Sequence, residues 1–204
     1  MTDLPHRLAT PEDAPAIAAL AEASIGALLP TFLTPPQVAA SRAIMGLDSQ
    51  LIADRTYFVI EDGPQIVAAG GWSRRATAYG GDHSAGRDAA LLDPANDSAR
   101  VRAMYTHPHY VRRGLGRRIL DLCHAAATAE GFRRTELTAT LAGAPLYRAA
   151  GYAPVRTFED ASGGAPVPLT VMTRALPWKN VLLPLAGEGG PRSGSDEGSI
   201  ELSG

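Results

Sequence analysis

The chain has 204 residues, of which 45% are hydrophobic and 20% charged, enough for one well-buried core and short for two. Its formal net charge of −2 removes the basic surplus that a nucleic-acid binder needs to neutralise several phosphates, so neither DNA nor RNA is an expected partner. The one cysteine, Cys123, has no partner for an internal disulfide and is expected in a helix core rather than as a nucleophile.

The start Met1-Thr2-Asp3-Leu4-Pro5 lacks a basic region followed by an apolar run. No stretch approaches the roughly 18 to 20 apolar residues of a membrane span, so a cytoplasmic protein without membrane contact is expected. After a short strand at Arg7-Leu8-Ala9, Thr10-Pro11-Glu12-Asp13 supplies an N-cap hydroxyl, a first-turn proline and first-turn acids. A helix should start there, bury Ile17, Leu20, Ser24 and Leu28, and end at Pro30. Thr34-Pro35-Pro36 predicts a second helix through Val38, Ala39, Ile44 and Met45. Tyr57-Phe58-Val59-Ile60, the turn Glu61-Asp62-Gly63-Pro64 and the apolar run Gln65 to Trp72 predict a hairpin. From Ser73 to Ala99 no period is sustained, which predicts a long loop.

Arg100 to Thr106 alternates as a strand and stops before Pro108. A helix from about Gly114 to Glu130 should bury Leu115, Ile119, Leu122, Ala126 and Ala129, with Gly131 as its C-cap. Thr135 to Thr140 is the next strand, closing a right-handed parallel unit. A short helix from Ala144 to Ala150 and strands Val155 to Phe158 and Pro168 to Leu176 complete the pattern. The domain is expected over residues 1–178. The extension 179–204, rich in Gly, Ser and charge, is expected to be flexible from about residue 185.

Val111-Arg112-Arg113-Gly114-Leu115-Gly116-Arg117-Arg118 lies between a predicted strand and a predicted helix. Backbone N–H groups at a helix start have no intrahelical partner, and the helix dipole adds about half a positive charge there. Glycines let the backbone approach an anion closely, and the four arginines, unfavourable in a first turn by themselves, become favourable beside a polyanion. A nucleoside-triphosphate loop would need four residues between its glycines followed by Lys-Ser or Lys-Thr. A dinucleotide fingerprint would need a third glycine, where Ile119 follows Arg117 and Arg118.

His107-Pro108-His109-Tyr110-Val111-Arg112-Arg113-Gly114-Leu115-Gly116-Arg117 resembles the acetyl-CoA motif of the GCN5-related N-acetyltransferase (GNAT) superfamily, with Val111 where Gln or Arg is usual. Leu146-Tyr147-Arg148-Ala149-Ala150-Gly151-Tyr152 is similar to that family's Leu-Tyr-x-x-x-Gly-Phe ending. The resemblance covers about Arg7 to Leu176. It implies an α/β fold with a mixed, mostly antiparallel sheet of six to seven strands, about four flanking helices and a splayed parallel strand pair. It further implies acetyl-CoA as co-substrate, held by Met104, Tyr105 and Thr106 in the splay, by Val111, Arg112, Arg113, Gly114, Leu115, Gly116 and Arg117 in the cradle, and by Thr140, which stands where the family often has asparagine. Tyr147 becomes the general acid for the departing thiolate, a role that a phenol with pKa of about 10 suits. Dimers are common in the superfamily, so a homodimer is among the expected assemblies.

Many relatives carry a glutamate base on the strand before the motif; here that position falls at or near Arg100. Glu22, His83, Asp93 and His107 are the other candidates for a base. His107 and His109 flank a proline rather than sharing a helical face, so no metal is expected. The leading expectation is therefore acetyl transfer from acetyl-CoA to a primary amine of unspecified identity. A non-catalytic acyl-CoA sensor and a phosphate-binding regulatory module are the alternatives.

Overall fold

The computed structural model describes residues 4–177, and the expected C-terminal extension lies outside them. Seven strands form one sheet: β1 (His6–Leu8), β2 (Tyr57–Asp62), β3 (Gln65–Ser73), β4 (Ala99–Thr106), β5 (Arg134–Thr140), β6 (Ala153–Asp160) and β7 (Val167–Ala175). Their spatial order is β1-β2-β3-β4-β5-β7-β6, and every pairing is antiparallel except β4 with β5. The α/β architecture, the strand count and the parallel pair agree with the expectation, and five helices flank the sheet. These are α1 (Ala14–Leu28), α2 (Pro35–Ser41), α3 (Ser49–Ala53), α4 (Leu115–Ala129) and α5 (Ala144–Ala149).

The sheet buries both faces. On one, Ile119, Leu120 and Cys123 of α4 pack with Val67, Trp72, Val101 and Met172. On the other, Ile17, Leu20 and Ala21 of α1 and Leu51 of α3 pack with Tyr57, Val59, Ala69 and Tyr105. Strand alternation explains the division, since neighbours such as Ala68 and Ala69 fall into opposite clusters.

Several boundaries differ from the sequence pattern for local reasons. The first helix opens with a 3₁₀ turn at Pro11–Asp13, where the Asp13 carboxylate reaches back to accept the Thr10 amide at 2.8 Å. Contrary to the expectation that no stretch is long and apolar enough to span a membrane, the helical run Pro11–Thr31, 21 residues long, meets that criterion by length and composition. Its residues Ile17, Leu20 and Ile25 are packed inside the protein. α2 ends at Ser41 instead of continuing through Met45; the Ser41 hydroxyl donates back to the Gln37 carbonyl at 2.8 Å, and the chain turns away into Gly46 at φ 145°. α4 buries Leu115, Ile119, Leu120, Cys123, His124 and Ala127. The stripe is rotated from the expected one: Leu122 and Ala126 are half-buried and Ala129 is exposed.

The 74–98 excursion is not structureless. Backbone bonds between Thr77 and Asp88 and between Leu92 and Arg74 fold it back on itself, and Arg75 to Asp54 and Arg87 to Asp48, both at 2.7 Å, fasten it to the protein.

The site-forming event is a bulge in β4. Ala69 faces Tyr105 and Gly71 faces Arg102, so Ala103 and Met104 oppose Gly70 alone, and Ala103 takes φ 50°. β4 then pairs with β5 only at Ala99 with Thr135 and Arg100 with Glu136. Beyond those two pairs the strands part. Gly70 leaves room for the Met104 side chain of the bulge, since a Cβ there would lie 2.3 Å from Met104 Sδ and 2.7 Å from Ile119 Cγ2.

Candidate active site

The parted strands open onto a cavity of about 620 Å³. At one end is the loop joining β4 to α4. Arg112 at φ 62° and Gly114 at φ 81° reverse the chain so that α4 begins pointing into the opening. Among the described residues, the amides of Gly114, Leu115, Gly116 and Arg117 donate to no protein acceptor; the first bond of the helix is Arg118 N–H to the Gly114 carbonyl. Four aligned donors at the positive end of a 15-residue helix form a ready anion site. Gly116 has a steric role too, since a Cβ would sit 3.0 Å from Leu146 Cδ2 of α5.

The four arginines of the motif divide. Arg112 and Arg117 line the cavity, and Arg117 is braced by Asp121 at 3.0 Å. Arg113 lies 4.6 Å above the Tyr110 ring, and Arg118 donates to the Leu4 carbonyl and reaches His6, so neither lines the opening. The remaining cradle residues Val111, Gly114, Leu115 and Gly116 line it, as do Met104, Tyr105 and Thr106 of β4 and Thr140 of β5.

Tyr147 lines the same cavity from α5. Thr140 Oγ1 accepts the Gly143 amide at 3.2 Å and fixes the turn before that helix. A Cβ on Gly143 would meet the Tyr147 ring at 2.9 Å, so the glycine is what lets the ring lie there. Among the described residues the Tyr147 hydroxyl has no hydrogen-bond partner, and burial pushes its pKa well above the ordinary value. It stays protonated near neutrality. Behind it, 6.0 Å between ring centres, stands Tyr152. Arg174 donates to His124 Nδ1 at 2.9 Å, so Nε2 carries the proton and donates to the Tyr152 hydroxyl at 2.8 Å, which shares a further hydrogen bond with Thr135 Oγ1 at 2.8 Å. Burial and then the Arg174 charge hold His124 neutral, with its pKa lowered to about 4.

The far end is walled by Ile25, Leu29 and Phe32, by Ile44 and Met45, and by Leu169 of β7. Ser24, Tyr79 and Arg102 supply its polarity. Tyr79 donates to Asp160 Oδ2 at 2.7 Å. Arg102, with only 2% of its side chain exposed, lies 2.7 Å from Asp48 Oδ2 in an ion pair outside hydrogen-bond geometry and donates to the Gly80 carbonyl at 2.7 Å. Tyr105 clamps the segment before Asp48, accepting from the Gly46 amide at 2.8 Å and donating to its carbonyl at 3.0 Å.

Residues 53–154, half of the sequence, match the acetyltransferase (GNAT) domain. The chain belongs to the GNAT family. The GCN5-related N-acetyltransferase "aminotransferase, class-II" from Rhodopseudomonas palustris shares the fold at TM-score 0.64 and 22% identity, over 86% of this chain and 98% of that one. YncA from Salmonella typhimurium, solved with its cofactor acetyl-CoA, gives 0.57 and 17% over 87% and 96%. PaiA N-acetyltransferase from Thermoplasma acidophilum, solved with coenzyme A, gives 0.55 and 10% over 85% and 99%. No curated protein matches the chain.

In this GNAT domain none of the sequence-level candidates for a base reaches the cavity. Glu22 pairs with Arg42 at 3.0 Å, with 59% of its side chain exposed. His83 Nε2 lies 2.6 Å from the Arg42 carbonyl oxygen, Asp93 caps its own turn through the Ala95 amide, and His107 accepts the His109 amide. Arg100 pairs with Glu136. Tyr79, Arg102 and Phe32 are site residues that sequence reasoning does not single out. Tyr79 lies in the aperiodic loop, Phe32 follows a helix end, and Arg102 is one of several arginines on an alternating strand, so no local pattern marks any of them.

Proposed function

We propose that the protein transfers an acetyl group from acetyl-CoA directly to a primary amine. One observation carries the reading: four unpartnered amides at the start of α4 open into the cavity that Tyr147 also lines. Gly114, Leu115, Gly116 and Arg117 would hold the pyrophosphate through main-chain N–H groups, with the Arg112 and Arg117 guanidiniums adding charge. Val111 would contribute through its backbone, and Arg113 through its charge over the Tyr110 ring, which lines the cavity. The gap between β4 and β5 would take the pantetheine arm along Met104, Tyr105, Thr106 and Thr140. The volume, within the range of small-molecule sites, accommodates an elongated ligand.

Binding both partners in one cavity converts a bimolecular attack into a near-unimolecular one. The amine nitrogen forms a bond to the thioester carbonyl carbon, the carbon–sulfur bond breaks, and the sulfur leaves with the electron pair and takes the proton of the Tyr147 hydroxyl. Tyr147 regains a proton from solvent, and the nitrogen releases one there. A hydroxyl without a protein partner is the right starting state for this role, since no internal bond has to break first.

Calorimetric titration with acetyl-CoA tests the binding half: folded protein that takes up no acetyl-CoA ends the proposal. A non-catalytic acyl-CoA-binding domain is the second reading. It is favoured because, among the described residues, no Asp, Glu or His lines the cavity. Tyr147→Phe removes only the unbonded hydroxyl and should leave fold and acetyl-CoA affinity intact. Turnover reduced about a hundredfold supports transfer with Tyr147 as acid. Turnover absent from both forms, with cofactor affinity retained, favours the sensor.

A further inference from the structure

We propose that the acceptor is a weakly basic amine on an apolar, ring-sized body, an arylamine, bound as the neutral free base. The inference rests on the acetyl-transfer reading above and names its substrate class. Three features of the far end of the cavity point to it.

The first is the wall. Ile25, Leu29, Phe32, Ile44, Met45 and Leu169 surround this end, and Phe32 leaves 48% of its surface exposed. A large aromatic held half in solvent beside a cavity is surface that a ligand ring can cover, at about 25 cal/mol per Å² of apolar area removed from water.

The second is the charge. Among the described residues the cavity is lined by Arg102, Arg112 and Arg117 and by no Asp, Glu or His. Arg112 and Arg117 belong to the cradle, which leaves Arg102 as the charge at the acceptor end. The nearby acids are already bonded: Asp48 lies between Arg87 and Arg102, each at 2.7 Å, Glu22 pairs with Arg42 on the surface, and Asp160 accepts the Tyr79 hydroxyl at 2.7 Å. An ammonium ion entering here would lose water, find the neighbouring carboxylates already bonded and lie near a buried guanidinium. A neutral amine avoids all three costs.

The third is Tyr79. Its hydroxyl hydrogen is directed to Asp160 at 2.7 Å, so the oxygen offers lone pairs rather than a proton to whatever shares the cavity. That suits an N–H donor. It also fits the missing base: an arylamine carries its lone pair free at neutral pH, so nothing in the cavity has to deprotonate it before attack. At pH 7 an alkylamine with a lysine-like pKa near 10.4 is neutral in fewer than about one molecule per thousand.

The test uses the full chain with acetyl-CoA and three acceptors: 4-methylaniline, benzylamine of the same size, and Nα-blocked lysine. Thiol release and product mass are both read. We expect kcat/KM for 4-methylaniline to exceed that for either alkylamine by about tenfold or more, the neutral fraction outweighing the greater intrinsic nucleophilicity of alkylamines. Phe32→Asp, at an exposed position that leaves the core intact, places a carboxylate at the cavity and should move the ratio toward benzylamine by about tenfold. A preference for benzylamine or blocked lysine in the unmodified protein overturns the inference. So does a failure to acetylate 4-methylaniline when calorimetry shows acetyl-CoA bound. If acetyl-CoA itself does not bind, the acetyl-transfer reading falls, and this inference falls with it.

Discussion

Gly114→Ala isolates the contribution of main-chain geometry to the cradle. Gly114 has φ 81°, and a Cβ placed there meets nothing within 4 Å, so the substitution adds strain without a clash. Holding an L-residue in the left-handed region costs about 1 to 2 kcal/mol, which for a chain of this size lowers Tm by about 2 to 8 °C. The cradle can relieve that strain by rotating the 114 peptide, and rotation withdraws amides from the anion. Each charge-assisted hydrogen bond lost is worth about 1.5 to 3 kcal/mol, so acetyl-CoA affinity should fall about 10- to 100-fold.

The same helix supplies the control. Gly131, just beyond its C-terminal end, has φ 91°, and the atom nearest to an added Cβ there is Pro94 Cβ at 3.6 Å, so Gly131→Ala carries similar strain far from the cavity. Calorimetry and thermal melts on the two variants should show equal losses of Tm and unequal losses of affinity. Gly114→Asn, better tolerated at positive φ, should recover most of both. The reasoning is refuted if Gly114→Ala melts lower yet binds acetyl-CoA as tightly as the unmodified chain, or if Gly131→Ala weakens binding as much.

Other consequences follow from the buried groups. Asp48 is fully buried between Arg87 and Arg102; Asp48→Asn leaves the Arg102 guanidinium without its counter-charge, and urea melts should show a loss of about 3 to 5 kcal/mol. Gly70→Ala drives a methyl against Met104 and Ile119, and should cost about 1 to 3 kcal/mol in the same assay while weakening acetyl-CoA binding, because the Met104 side chain beside the cavity must shift. His124 has a folded pKa lowered from 6.5 to about 4, so the unfolded chain takes up the proton first as the solution is acidified. The stabilisation is complete above pH 6.5 and declines by about 1.4 kcal/mol per unit toward pH 4. Stability profiles between about pH 7 and pH 5, where most carboxylates remain ionised, should flatten in His124→Gln; an unchanged slope would reject the assignment.

What was legible in the sequence was what lies close together along the chain. The cradle is one contiguous run, so strand, Gly114, Gly116 and helix could be read in order, and Tyr147 came with its own short signature. Side-chain direction was less legible. Arg112, Arg113, Arg117 and Arg118 look equivalent in sequence, yet Arg113 finds the Tyr110 ring and Arg118 finds Leu4 and His6, partners fixed only by tertiary packing. The buried stripe of α4 departs from the sequence pattern for a related reason: apolar residues occur on two adjacent faces, and the core admits His124 because Tyr152 and Arg174 satisfy its ring. α3 is five residues long, too short to show a period. The acceptor end was least legible, because Phe32, Met45, Tyr79, Arg102 and Leu169 come from five separate segments and share no spacing.

The two halves of the site are coupled through one packing contact. Ile119 is fully buried one turn after the cradle, and it approaches Gly70 of β3 from the same side as Met104 of the β4 bulge. The start of α4, which would grip the diphosphate, and the parted end of β4, which would hold the thioester, are therefore seated on the same glycine. A side chain at 70 would press on side chains of both elements at once, whereas a side chain at 114 disturbs the grip alone. This difference assigns distinct signatures to two glycines that look alike in sequence: Gly114→Ala should raise the KM for acetyl-CoA with kcat for saturated enzyme nearly retained, and Gly70→Ala should change both. The parting of β4 from β5 therefore shapes the candidate site together with the cradle, and Gly70 on β3 leaves the room that Met104 of the bulge and Ile119 of α4 share.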